Sequence, residues 1–257
     1  MIELFIILAA LALIMEIVDS SLGMMYGTIL SHVLIGFGFD PLIVVPSILI
    51  SQAIGGIAGT IFHNKLKNAD FNGLTRDTKI VLAVVAPGLV GVLIGTLVAI
   101  SLPKLFMQTY IGILVVLMGI LCIFPVRYAF RWWKMYAIGL LSSFNKFVTG
   151  GGFGPITSTG KIVGGLKSKV SVATTTYAEV PICIVSFIIY MISKGLSDPF
   201  FTISLCAGAF IGGIMGPFVT SRFNQNKLRK AVGILAIIAG VWVLLKIVLN
   251  LNISGGI

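Results

Sequence analysis

The stretch Lys146-Phe147-Val148-Thr149-Gly150-Gly151-Gly152-Phe153-Gly154-Pro155 interrupts a long apolar part of the chain that runs from Trp132 to Leu166. Three consecutive glycines followed by a proline disfavour a continuous helix. An interruption at membrane depth is tolerated only where the backbone faces protein or a water-filled cavity. Broken helices of this kind form substrate sites in many transporters, because the N–H groups of a half-helix attract anions. The stretch therefore predicts a broken helix that lines a site.

A weaker copy of this stretch occurs in the first half of the chain, as Asp19-Ser20-Ser21-Leu22-Gly23-Met24-Met25-Tyr26-Gly27-Thr28. The two stretches are related by an offset of 127 residues, from Asp19 to Lys146. The same offset superimposes Gly23 on Gly150, Gly27 on Gly154, Ile29 on Ile156, Ser31 on Ser158, Gly38 on Gly165, Ser47 on Thr174 and Gln52 on Glu179. An ordered series of this kind predicts an internal duplication. We expect residues 1–126 and 127–257 to form two transmembrane repeats within one membrane domain.

The composition is that of a membrane protein. Hydrophobic residues make up 58% and charged residues 10% of the chain, and the mean hydropathy is +1.10, whereas soluble domains carry roughly 25% charged residues. Residues 80–103 and 105–126 contain no charge, and about 20 apolar residues suffice for a helix to span a bilayer. We predict an all-α integral membrane protein of the cell membrane. Its full spans are expected near 43–62, 80–101, 105–124, 170–192, 200–221 and 231–249.

The remaining composition excludes several other classes. The net charge of +10 arises from basic residues between the apolar segments, where they orient a membrane protein, so no nucleic-acid partner is expected. The cysteines Cys122, Cys183 and Cys206 lie in apolar segments without ligand spacing, so we expect neither a metal site nor another cofactor. No constellation of His, Cys or Ser indicates catalysis, and we do not expect an enzyme.

The distribution of basic residues discriminates between two topologies. If all eight apolar segments crossed the membrane, nine basic residues would lie inside and eight outside, against the positive-inside rule. If each broken segment is a re-entrant hairpin, each repeat has three full spans and the second repeat is inverted. Fourteen basic residues then lie inside, three outside and Lys146 within the membrane. We therefore predict two inverted repeats, each a broken-helix hairpin followed by three transmembrane helices, with both termini outside.

Four ionisable residues fall within the predicted membrane region: Glu16, Asp19, Lys146 and Glu179. Charges at this depth are costly and are therefore functional candidates. Asp19 and Lys146 hold equivalent positions, so they form either a substrate or proton site or a structural ion pair that fixes the hairpins. Glu179 shares a span with Thr175, and this polar face either lines a path or makes interhelical hydrogen bonds. We assign proton coupling to Glu179, Asp19 and Glu16.

The predicted substrate site lies between the two breaks. Glycines let backbone N–H groups approach a ligand closely, and the N-terminus of the half-helix that begins near Pro155 carries partial positive charge. Lys146, one turn before the glycines, adds a full charge, so a small anion should bind closer to the second break than to the first. The predicted substrate-binding residues are Lys146, Gly150, Gly151, Gly152, Gly154, Gly23, Gly27 and Thr175.

The run Gly150-Gly151-Gly152-Phe153-Gly154-Pro155, followed by Lys169-Val170-Ser171-Val172-Ala173-Thr174-Thr175-Thr176, resembles the TauE/SafE sulfite exporter family, also called TSUP or DUF81. That family pairs a Gly-Gly-Gly-Pro-like run with a following Ala-x-x-Thr-Ser/Thr segment in each half. The first half departs from this pattern, with Gly23-Met24-Met25-Tyr26-Gly27 and Pro46-Ser47-Ile48 in the corresponding places. The resemblance implies a secondary transporter of small sulfur-containing anions such as sulfite, sulfonates or sulfoacetate, coupled to the proton gradient.

Other functions fit the sequence less well. A channel needs a continuous polar pore, and each span holds few polar residues. A divalent-cation permease is the main alternative, because Glu16, Asp19 and Glu179 outnumber Lys146 and oxygen ligands suit hard cations; transport of another small organic anion is a further one. The expected partners are the anion, protons and the lipid bilayer, and a homo-oligomer is left open. His63 is expected at the surface, in a loop.

Overall fold

The computed structural model describes residues 2–98, 104–124, 129–149, 152–194 and 198–254. Every regular element in these ranges is helical. The α-helices are α1 (Ile2–Leu22), α2 (Ser31–Gly36), α3 (Pro41–Lys65), α4 (Arg76–Val98), α5 (Lys104–Ile123), α6 (Trp132–Thr149), α7 (Phe153–Val163), α8 (Ser168–Lys194), α9 (Pro199–Arg222) and α10 (Gln225–Ser254). A short π-helix, Tyr26–Leu30, precedes α2. The predicted all-α fold is confirmed.

Four of the described helices are long and apolar enough to cross a membrane. The segments are Ile43–Lys65 in α3, Arg76–Gly95 in α4, Ser168–Ile192 in α8 and Pro199–Arg222 in α9, and α5 contributes a shorter apolar segment, Gly112–Ile123. Large apolar side chains such as Leu93, Ile211 and Leu245 are exposed on the outside of the bundle. Lipid covers such side chains when the protein lies in a bilayer, so the exposed apolar surface agrees with a membrane-embedded protein.

The helices pair in a way that repeats between the two halves. α1 packs along α9 and α6 packs along α4, while α3 packs against α8 and α5 against α10. With residues 1–126 and 127–257 taken as equivalent halves, α1 corresponds to α6, α3 to α8, α4 to α9 and α5 to α10. The packing of α1 on α9 is then the counterpart of the packing of α6 on α4. The α3–α8 and α5–α10 contacts each join two equivalent helices. This pattern supports the predicted duplication. The repeat boundaries and the inversion of the second half across the membrane remain predictions.

Glycines allow the paired helices to approach closely. A Cβ at Gly208 of α9 would collide with the backbone of α1 at Ala9, and one at Gly139 of α6 would collide with the backbone of α4 at Val84. Small residues serve this purpose in membrane helices, because close packing and dispersion replace the hydrophobic effect as the force that associates them. The close contacts hold α1 and α6, the two helices that lead into the breaks, against the rest of the bundle.

Both helix breaks have left-handed backbone at equivalent positions. Gly152, directly before α7, has a φ of 85°, and Met25, its equivalent directly before the π-helix, has a φ of 110°. Gly38 and Gly165, another pair at the offset of 127, have φ values of 92° and 98°. Positive φ is strained for a residue with a side chain. The first break therefore keeps the geometry of the second at Met25, without the glycine that relieves the strain.

Candidate functional site

Lys146 lies in the last turn of α6 and forms a buried ion pair with Glu179 of α8. Its Nζ donates hydrogen bonds to Glu179 Oε1 at 2.5 Å and to Gln52 Oε1 of α3 at 2.9 Å. The ammonium also lies 5.6 Å from the ring centroid of Phe153, the first residue of α7. Lys146 and Glu179 are only 3% and 4% exposed. Residues of α3, α6, α7 and α8 therefore meet at one ammonium group.

Asp19 of α1 lies near the same cluster and is acted on electrostatically by Glu179 and Lys146. Its Oδ1 accepts a hydrogen bond from the backbone N–H of Tyr26 at 2.9 Å. The sequence left open a structural ion pair between Asp19 and Lys146, but the structure pairs Lys146 with Glu179 instead. Because Asp19 and Gln52 are the equivalents of Lys146 and Glu179, the cluster contains the same two positions from each half.

Glu16 lies in α1 one turn before Ser20 and is buried against α3 and α9. Its Oε1 accepts a hydrogen bond from Ser20 Oγ at 2.6 Å, whereas its Oε2 has no partner among the described residues. A Cβ at Gly55 would lie 2.7 Å from the carboxyl carbon of Glu16. A buried carboxylate oxygen without a donor is costly when it is charged. Glu16 therefore stays among the candidate proton-binding groups, as a prediction.

The two helix breaks lie against each other. A Cβ at Gly154 would be 2.6 Å from the carbonyl oxygen of Gly23, and Ser158 Oγ donates a hydrogen bond to the same oxygen at 2.8 Å. The Gly152 N–H donates to Thr28 Oγ1 at 3.1 Å. The structure thus brings Gly23, Gly152 and Gly154 together, and Thr28 accepts from one of the N–H groups that we assigned to the substrate. The role of these glycines in substrate binding stays a prediction.

The other predicted substrate residues surround this contact in part. Thr175 of α8 contacts α7 beyond the second break, where its Oγ1 accepts a hydrogen bond from Ser158 Oγ at 3.0 Å. Gly27 is buried within the π-helix, an element that is frequent at functional sites. Gly150 and Gly151 lie outside the described residues. Thr175 is therefore close to the contact between Gly23 and Gly154. The predicted roles of Gly150 and Gly151 stay predictions.

Lys161 is a buried residue that the sequence does not distinguish from the basic residues predicted to lie inside, of which it is one. The structure buries Lys161 completely in α7, and its Nζ donates a hydrogen bond to Thr174 Oγ1 of α8 at 2.8 Å. One of the fourteen basic residues assigned to the inside thus lies within the protein. The spacing contains the signal, since Phe153, Thr157 and Lys161 recur every four residues and share one face of α7.

The expectation that His63 lies at the surface is wrong, since its side chain is fully buried near the end of α3. Its Nε2 donates to the carbonyl oxygen of Ser20 at 2.9 Å, because a carbonyl can only accept, and its Nδ1 accepts from Asn68 Nδ2 at 3.0 Å. Asn68 Nδ2 also donates to Pro217 O at 3.0 Å. These bonds require a neutral imidazole and connect α3 to α1 and α9, which is a structural role.

Apolar spans that surround a solvent-shielded cluster of charges, beside two helix breaks in contact, are typical of polytopic membrane transporters. The chain belongs to the sulfite exporter TauE/SafE family, whose model matches residues 8–243. It is also 26% identical over 242 residues to the "Probable membrane transporter protein YtnM" of Bacillus subtilis (strain 168), a match that covers 89% of this chain and 78% of that protein. No solved structure matches the chain significantly. The resemblance of the glycine run to this family is confirmed, and the chain is a membrane transporter of the TauE/SafE type.

Proposed function

We propose that this transporter moves small sulfur-containing anions, such as sulfite or sulfonates, across the membrane together with protons. The observation that carries the proposal is the buried ion pair between Lys146 and Glu179, beside the first residue of α7. Lys146 supplies the positive charge that binds the anion. While no anion is bound, the carboxylate of Glu179 pairs with this ammonium group. The name of the family agrees with this class of substrate.

The ion pair couples the proton to the anion because the anion and Glu179 compete for one ammonium group. Glu179 Oε1 lies 2.5 Å from Lys146 Nζ, in the place that an anion would take. Two negative charges at such short range in a buried site repel each other strongly. A proton on Glu179 removes the competitor and leaves the charge of Lys146 for the anion. Proton and anion therefore bind together in this mechanism.

Two further carboxylates also favour coupling to protons. Asp19 accepts a hydrogen bond from the Tyr26 N–H, and Glu16 accepts one from the Ser20 hydroxyl. If Glu16, Asp19 and Glu179 were all ionised, the centre would carry more negative than positive charge and would repel an anion. Protonation reduces this excess, so Asp19 and Glu16 act in the proposal as additional proton-binding groups.

The second break supplies the remaining donors for the anion. α7 begins at Phe153, and the N-terminus of a helix attracts anions through its N–H groups and its dipole. The Gly152 N–H donates to the Thr28 hydroxyl oxygen, and an oxyanion oxygen can replace that hydroxyl oxygen at the same donor. Since Lys146 lies at this break and Asp19 at the other, the anion is expected on the side of α7.

Transport further requires that the site open to each side of the membrane in turn. Lys146, Glu179, Gln52 and Asp19 are all buried, so the cluster is closed to solvent in this conformation. In the predicted inverted topology, the hairpin of α1 and α2 and the hairpin of α6 and α7 enter from opposite faces. Movement of each hairpin then opens the site to its own face of the membrane.

Flux into proteoliposomes tests this proposal. Purified protein is assayed for uptake of sulfite, sulfoacetate and divalent cations, with and without a proton gradient. We expect flux of sulfite or sulfoacetate that is lost in Lys146→Met and retained in Lys65→Met, a matched change at an exposed lysine. Divalent-cation flux without any anion flux in the wild type would contradict the proposal and favour the divalent-cation permease.

A further inference from the structure

We infer that Lys161 forms a second anion subsite, at the opposite end of α7 from Lys146, for the same small oxyanion. The inference rests on the proposed transport of anions. Lys161 is 0% exposed, and its Nζ donates a hydrogen bond to the hydroxyl oxygen of Thr174. Over the ranges that the structure describes, no carboxylate oxygen lies within 4.0 Å of this ammonium group.

A buried lysine without a counter-ion is unfavourable, because the hydration of the charge is lost and no ion pair replaces it. Lys146 shows the contrasting case in the same protein, since its charge is held directly by Glu179. Glu179 is also the charged group that acts on Lys161 electrostatically, but it is already bound to Lys146. A bound anion would provide the counter-ion that Lys161 lacks.

A second buried group points to the same ligand. Thr157 is fully buried, and its hydroxyl has no hydrogen-bond partner among the described residues. Thr157 precedes Lys161 by four residues and therefore lies on the same face of α7. A buried hydroxyl without a partner is costly, and a hydroxyl on the same helix face as an ammonium can donate to an oxyanion that the ammonium binds. Lys161 and Thr157 therefore offer one positive charge and one hydroxyl donor, whereas the hydroxyl of Thr174 donates to the Val170 carbonyl.

The same face of α7 connects this subsite with the central ion pair. Lys146 lies over the ring of Phe153 at the start of α7, and about 12 Å of helix axis separates Phe153 from Lys161 at 1.5 Å per residue. In the predicted topology the second hairpin opens to the cytoplasm. Lys161 therefore lies between the central pair and the cytoplasmic face, where it holds an anion that enters or leaves the site.

Sulfite binding and thermal unfolding of the purified protein separate this role from a structural one. Lys161→Met removes an unpaired buried charge, so without sulfite it should unfold at the same temperature as the wild type or higher. Its sulfite affinity should fall about tenfold or more. Thr157→Val should also weaken sulfite binding without lowering the unfolding temperature. Lys167→Met, at an exposed position after α7, and Thr159→Val, whose hydroxyl donates to the Pro155 carbonyl, should bind sulfite normally.

Three other results would contradict the inference that Lys161 forms an anion subsite. Normal sulfite binding by Lys161→Met and Thr157→Val overturns the inference and, if Lys146→Met loses binding, leaves the proposed function intact. A Lys161→Met protein that unfolds at a lower temperature, or does not fold, marks a structural lysine and also overturns the inference. A wild type that binds neither sulfite nor sulfoacetate contradicts the proposed function, and the second subsite falls with it.

Discussion

Gly154 of α7 lies so close to Gly23 at the end of α1 that a Cβ at Gly154 would be 2.6 Å from the Gly23 carbonyl oxygen. The same Cβ would be 2.7 Å from the Cα of Met24. Each glycine belongs to one of the two helix breaks, and both contacts at Gly154 are with backbone atoms that cannot move aside as a side chain can. This contact joins the two halves of the chain at the predicted substrate site.

Replacement of Gly154 should therefore destabilise the protein. Gly154→Ala forces the two breaks apart, and we expect a loss of about 1–3 kcal/mol in the free energy of unfolding, as for other overpacked interiors. Gly160→Ala in the same helix is the matched control, because the nearest atoms there are side-chain carbons of Ile138 at 3.2 Å. Thermal unfolding in detergent measures both variants. An equal loss for the two would show that contact between the breaks is not the cause.

Gln52 should contribute measurably to the stability of the charged centre, because its Oε1 accepts a hydrogen bond from the buried Lys146 ammonium. Gln52→Met keeps the side-chain length and removes this bond, so we expect a loss of about 1–3 kcal/mol in the free energy of unfolding. Gln225→Met is the control, since Gln225 is only half-buried and water can replace its bond to the Lys169 N–H. Denaturant unfolding that gives the same value for both variants would contradict a stabilising role of the bond between Gln52 and Lys146.

The fold class could be predicted because it is a signal along the chain, whereas the division into two repeats stays a prediction that the backbone geometry supports. Apolar segments of membrane length and a run of three glycines can be recognised in the sequence without knowing which residues are in contact in the folded protein. The offset of 127 also pairs Met25 with Gly152 and Gly38 with Gly165, and the structure has left-handed backbone at all four residues. The offset thus identified equivalent backbone even where methionine replaces glycine.

The partners of the buried charges could not be predicted in the same way. Equivalence suggested Asp19 as a partner of Lys146, but an ion pair depends on which helices pack together in three dimensions. Glu179 and Gln52 are 33 and 94 residues away from Lys146 in the sequence. Lys161 looks like one more basic residue near a loop, because its burial depends on where α7 packs against α8.

Cysteine labelling tests the inverted arrangement of the repeats. In a variant that lacks the three native cysteines, single cysteines replace the exposed residues Lys67, Lys167, Lys227 and Glu3. The three positions that carry lysine should react with a membrane-impermeant maleimide from the cytoplasmic side, and position 3 should react from the opposite side. If positions 67 and 167 reacted from opposite faces, eight simple spans would replace the inverted repeats.

The variant Glu179→Gln should still bind the anion but should lose the dependence of anion binding on the proton at position 179. Glutamine resembles a protonated glutamate but cannot release a proton, so Lys146 stays available for the anion at every pH. In the proposed mechanism the anion binds the wild type together with a proton on Glu179, so we expect the affinity of the wild type for the anion to rise as the pH falls. Glu3→Gln, the same change at an exposed position of α1, should leave this dependence as it is in the wild type.

The initial rate of sulfoacetate uptake into proteoliposomes, with and without an inward proton gradient, tests whether Glu179 couples the proton to the anion. The assay is run between about pH 6 and pH 8, where the charges of sulfoacetate do not change. Wild type and Glu3→Gln should take up sulfoacetate faster with the gradient. The gradient should accelerate uptake by Glu179→Gln far less, because only Asp19 and Glu16 remain to bind the proton. A Glu179→Gln protein whose uptake responds to the gradient as the wild type does would show that Glu179 does not couple the proton to the anion.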